Sequence, residues 1–232
     1  MQVKAVLLAR AIALFDISEL NPGGKIFMLN VIGELVQRFQ FQQFPKTPEQ
    51  FDEQKGIEFL DGHWNGVNVS KLVIYFNGIL LQTESSTADS QRIIDEALRW
   101  ASEKFGLRYE PSMINSWKFL NTFSFTTDVP ILEAHKAVSK LANGVSRAMR
   151  DVVKDELPYS AIRLDIDFDR YDRQTPLALL TIQRKVDASF SSNRYLTEGP
   201  LPTDIHIKLL EEFEADVLAA SSHDLLFGQK PK

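Results

Sequence analysis

The chain has 232 residues, 44% of them hydrophobic and 25% charged, and its 26 basic and 31 acidic side chains leave a net charge of −5. These values exclude a mainly disordered polypeptide and allow a substantial core, in one large domain or two small ones. The absence of cysteine excludes disulfide frameworks, thiolate zinc clusters, iron–sulfur centres and cysteine nucleophiles. The net negative charge gives nucleic acid no global attraction, although a local basic stripe can still supply one.

The opening stretch MQVKAVLLARAIALFDIS is apolar, but Arg10 and Asp16 interrupt it and no cleavage site follows, so Val3 to Phe15 reads as a strand rather than a leader. No apolar run approaches the roughly 20 residues of a membrane-spanning helix, which makes a cytoplasmic location without membrane contact the default expectation. NPGG at 21–24 breaks the chain. Met28, Ile32, Leu35 and Phe39 then recur at helical spacing, predicting a helix over Lys25–Phe39. A loop with two prolines leads to IEFLDGHWNG, in which Asp61-Gly62 and Asn65-Gly66 read as turn dipeptides, and then to one long strand, Lys71–Thr83. Ile93, Ile94, Ala97, Leu98, Ala101 and Phe105 mark a second helix, with Ser86 or Thr87 as its cap.

The later half follows the same order. In SWKFLNTFSFTTD, Trp117, Phe119, Phe123 and Phe125 alternate with polar residues, as in a strand with one open face. Pro130 suits the first turn of a long helix whose seam runs through Ile131, Ala134, Val138, Leu141, Val145, Ala148 and Val152. Its simplest use is burial against its own sheet, with pairing across a homodimer as the alternative. SAIRLDIDFD and LALLTIQRKVDASF predict a hairpin around RYDRQTP, and a closing helix follows with Thr203 or Asp204 as cap. The expected fold is therefore α+β: duplicated β-α-β-β-α units at 1–106 and 115–232, joined by a connector at 107–114, with a mainly antiparallel sheet and helices packed on one face.

Four groups of residues are candidates for chemistry or binding. Asp165, Asp167 and Asp169 share one face of a strand while Leu164, Ile166 and Phe168 occupy the other; carboxylates in such a row face water by default, with Arg163 and Lys185 as partial neutralisers. As Mg²⁺ or Mn²⁺ ligands they would need help from another strand, because same-face neighbours lie roughly 6.5 to 7 Å apart. His63 and Trp64 sit between two turn dipeptides, without a second histidine at metal-ligand spacing. Ser85, Ser86 and Thr87 precede a helix as caps rather than as a phosphate site, since Glu84 repels anions and no phosphate-binding glycine motif occurs. Lys136, Lys140, Arg147, Arg150 and Lys154 form a stripe on the long helix, suited to an acidic protein or, less strongly, to phosphates.

No compact catalytic constellation is visible, so the functional expectation is a non-catalytic binding or assembly protein without a cofactor. It would engage a macromolecular partner, a protein or a second copy of itself, through an open sheet face, an edge strand or the basic stripe. The alternative is a divalent-metal enzyme acting on a phosphate ester or nucleotide, with Asp165, Asp167 and Asp169 as ligands and Arg184 or Lys185 as the charge-stabilising neighbour.

Overall fold

The computed structural model describes residues 1–24, 26, 28–154, 158–167 and 178–227. In chain order these form β1 (Gln2–Leu14), α1 (Ile17–Leu20), α2 (Met28–Phe39), β2 (Ile57–Trp64), β3 (Val67–Tyr75), β4 (Gly78–Thr83), α3 (Thr87–Phe105), β5 (Ser116–Thr126), α4 (Lys136–Val153), β6 (Arg163–Ile166), β7 (Leu180–Arg184), β8 (Arg194–Gly199) and α5 (Thr203–Phe227). The eight strands take the order β2-β3-β4-β1-β5-β8-β7-β6. The class is α+β with a mainly antiparallel sheet, as expected. Among the described residues, no helix is long and apolar enough to cross a membrane.

Each half holds one strand more than the residue pattern suggested. Lys71–Thr83 is two strands, β3 and β4, reversed at Phe76-Asn77 so that Tyr75 faces Gly78. The later run LALLTIQRKVDASF is not one strand: among its described residues β7 covers Leu180–Arg184, and β8 follows. Asn65-Gly66 does turn the chain between Trp64 and Val67, with φ of 46° and 83°, as a two-residue hairpin of mirror-image type requires. Asp61-Gly62 instead lies inside β2. Gly62 has to be glycine for want of space, since a Cβ there would sit 2.5 Å from the Phe41 ring.

The chain divides into two compact units, Val6–Thr122 with Pro200–Thr203, and Met1–Ala5 with Phe123–Gly199 and Asp204–Lys232. β1 and β5 contribute residues to both. In the first unit, strand alternation turns Ala11, Ala13, Ile57, Phe59, Leu72, Ile74 and Leu81 to one face, where Ile32, Leu35 and Phe39 of α2 and Ile93, Ile94 and Leu98 of α3 cover them. Small Ala9 lets α3 approach closely enough for Ser90 Oγ to donate to its carbonyl at 2.8 Å. Burial of Phe39 and Phe59 is complete, and truncating either to alanine removes about 3–5 kcal/mol. Thr87 and Thr203 bond reciprocally, each backbone N–H donating to the other's hydroxyl at 3.0 and 2.8 Å.

In the second unit, Phe123, Phe125, Ile182 and Tyr195 are buried on one sheet face, together with His206, Leu210 and Val217 of α5. The opposite face carries Ser124, Thr126, Thr181, Gln183 and Glu198, all half-buried. Strand β6 pairs with β7 so that Leu164 faces Ile182 and Asp165 faces Thr181. The loop predicted at 170–176 lies outside the described residues.

Candidate functional site

The long helix differs most from expectation, and it carries the candidate site. It begins at Lys136 rather than at Pro130, because Ile131–Glu133 forms a separate 3₁₀ turn with Ile131 and Leu132 buried. Arg184 fastens that turn. Its buried guanidinium donates to Glu133 Oε1 (2.7 Å), to the Ala161 carbonyl (3.1 Å) and to the Phe190 carbonyl (3.0 Å), with the Phe190 ring 4.8 Å away. From this anchor α4 turns a small-residue side toward the unit: Ala142, Ser146 and Met149 are half-buried, and Ser146 Oγ accepts the Tyr159 N–H at 2.9 Å.

The seam expected to bury against the sheet is therefore uncovered, which corrects the sequence reading. Val138, Leu141, Val145 and Val152 are exposed, Leu141 by 70% and Val152 by 75%. A periodicity of 3 and 4 establishes that one side of a helix is apolar, but not that anything lies against it.

The basic stripe occupies another side of the same helix. Lys136, Lys140, Arg147 and Arg150 are exposed and line a shallow cleft with Ser139, Asn143, Ser146 and Glu133. Lys154, also exposed, closes the helix with a left-handed φ of 56°. Four of the five predicted basic residues thus share one surface beside the apolar seam.

A second exposed patch, of opposite charge, lies on α5. Ile205 and Leu209 are each 45% exposed, and Glu212 and Asp216 are exposed at the next positions of the same stripe, the four recurring at spacings of 4, 3 and 4. The buried side of α5 points the other way and hid this stripe from sequence inspection, which registered only a closing helix and its cap.

The remaining candidates are placed apart. Asp165 and Asp167 are exposed, and Arg163 Nε donates to Asp165 Oδ1 at 2.6 Å; Asp169 and Phe168 lie outside the described residues. Of their apolar companions, Leu164 is half-buried and Ile166 is exposed, because β6 is a sheet edge. Arg184 stands on the face of β7 opposite Asp165, and Lys185 pairs with Asp187 at 3.3 Å, so neither flanks the carboxylate row. Among the described residues no three acidic or histidine side chains converge on a common point. His63 is exposed and its Nδ1 lies 3.2 Å from Asn68 Oδ1. Trp64 points to the other face of β2, where its Nε1–H donates to Glu96 at 2.7 Å and Arg38 stacks on its ring at 4.3 Å. Ser86 caps α3 as predicted, accepting the Asp89 N–H at 3.0 Å.

No model of a known protein family matches the chain, and no curated protein matches it significantly.

Proposed function

We propose that this chain is a non-catalytic assembly protein that engages protein through α4, and that its partner is a second copy of itself. One observation carries the reading: the apolar seam of α4 is uncovered over Val138, Leu141, Val145 and Val152. Contiguous apolar surface rimmed by charge marks an interaction site rather than ordinary exposure. Beside the seam lie Lys136, Lys140 and Arg147, so the complementary surface is apolar with acidic neighbours. The α5 stripe of Ile205, Leu209, Glu212 and Asp216 has that composition. In a two-fold dimer each copy's α4 meets the other's α5, and the contact is made twice. Apolar contact supplies the affinity, and the opposed charges set orientation and encounter rate. Apart from the four-residue α1, the order strand, helix, three strands, helix recurs in both halves, which supports an internal duplication as the origin of the chain.

Native mass spectrometry and sedimentation equilibrium test the proposal. The expected species is a dimer, converted to monomer by Leu141→Glu with an unchanged circular-dichroism spectrum. Reversing charge on α4 (Lys140→Glu, Arg147→Glu) or on α5 (Glu212→Lys, Asp216→Lys) weakens the dimer by roughly tenfold or more, and combining both reversals in one chain restores it. A protein that stays monomeric at high concentration, or a dimer indifferent to all three changes, overturns the proposal.

A further inference from the structure

The first unit contains a partly enclosed apolar cavity of about 100 Å³, between the sheet and helices α2 and α3. Its wall includes Phe15, Leu35, Ile79, Leu98 and Trp100. Protein interiors pack at crystal density, and voids larger than a water molecule are few in any domain, so a space of this size beside the core is large enough to receive an occupant.

Water suits it poorly. A buried water needs two to four polar partners, and among the described residues the lining has two polar side chains, Asn21 and Glu53. The Asn21 amide is already engaged with the backbone of Ile26, donating to its carbonyl at 2.8 Å and accepting its N–H at 3.2 Å. An apolar cavity of about 150 Å³ stays dry and binds benzene. A cavity two-thirds that size holds at most a single small ring or a short branched alkyl group. Glu53 in the wall adds a charge rule, because burying a second carboxylate beside it costs both desolvation and like-charge repulsion.

We propose that this cavity is a binding site for a small neutral apolar molecule, of the size of one aromatic ring or a short branched alkyl group, and that it discriminates against carboxylic acids of the same size. The site is independent of α4 and of any self-association.

Trp100 in the wall reports occupancy directly. Titration of the full chain with toluene should raise the melting temperature saturably and change tryptophan emission, while benzoate should bind at least tenfold more weakly. Ala101→Leu fills the cavity from α3 and should abolish the toluene response. Ala97→Leu, at a half-buried lining position, does the same should the deeper substitution prevent folding. Absence of any saturable toluene effect on the wild-type chain overturns the proposal, as does an equal response in the filled variants or equal binding of benzoate.

Discussion

The Thr197 hydroxyl has one proton, and it goes to the Thr181 carbonyl at 2.7 Å. His206 Nε2, 2.9 Å from the same oxygen, must therefore be the donor in that pair, which assigns the buried imidazole the neutral Nε2–H tautomer. Burial pushes its pKa down to about 4. The unfolded chain binds a proton near pH 6.5 and the folded chain does not, so stability is fully present above pH 6.5 and falls as pH drops toward 4, by about 1.4 kcal/mol per pH unit. Urea midpoints should change little above pH 7 and approach this slope between pH 6 and 5, and His206→Gln should flatten it. Carboxylates add their own acid dependence only lower down: Asp16, Asp52 and Asp89 are held below their ordinary range by hydrogen bonds from Ser18, Lys55 and Ser85 respectively, and the stability this gives is lost only as pH falls below the ordinary carboxylate range near 4. Arg184 supports a second expectation at this scale. Arg184→Ala removes the guanidinium from Glu133 and from the Ala161 and Phe190 carbonyls, and although Ser160 Oγ still donates to Glu133 at 2.6 Å, it should cost about 2–3 kcal/mol, measured by chemical denaturation; half-exposed Glu133 contributes the smaller share. Neither residue declared its role in the sequence. His206 stands alone in an apolar helix, and Arg184 resembles any polar residue of an alternating strand.

Helix α3 was legible at its start because the capping signal is local, and its apolar stripe ended where the helix does, at Phe105. Ser86 is its N-cap, and Gly106 closes it at φ 79°, a left-handed conformation that glycine adopts without strain. Ser86→Ala and Gly106→Ala should each lower stability by about 1 kcal/mol, read as a shift in melting temperature. The strands were harder. Between β3 and β4 the turn residue Phe76 is aromatic and half-exposed, so the apolar run looked unbroken, although Asn77-Gly78 marked the reversal. β8 was concealed by the polar residues of RYLTEG, whose buried members Tyr195 and Thr197 fit poorly with a simple hydrophobic alternation. In α4 the period was correct and the environment was not, because covering a seam is a tertiary event. The basic stripe, by contrast, needed only the helix itself to come together.

Across the whole molecule, β1 and β5 give residues to both compact units, so neither unit can unfold without removing part of a strand the other uses. A single cooperative transition is expected. All three tryptophans, Trp64, Trp100 and Trp117, lie in the first unit, so their emission follows that unit alone while far-ultraviolet circular dichroism follows the entire chain. The two signals should coincide in a urea titration, and an earlier change in emission would mean that the units melt separately. The fold class was readable at this scale because periodicity and turn dipeptides limit the possible layers, whereas the apolar cavity depends on distances between segments that no spacing encodes, and the α5 patch depends on which side of that helix the sheet covers. The two rims of the sheet also differ. Outside β2, Gln43 bridges Leu60 and the Gln42 N–H donates to the Asp61 carbonyl at 3.2 Å, which occupies the backbone at the middle of that margin. At the other rim, β6 is four residues long and carries Arg163 and Asp165. A strand so short, with charge on it, is a poor template for a second chain, so β6 resists strand addition rather than inviting it.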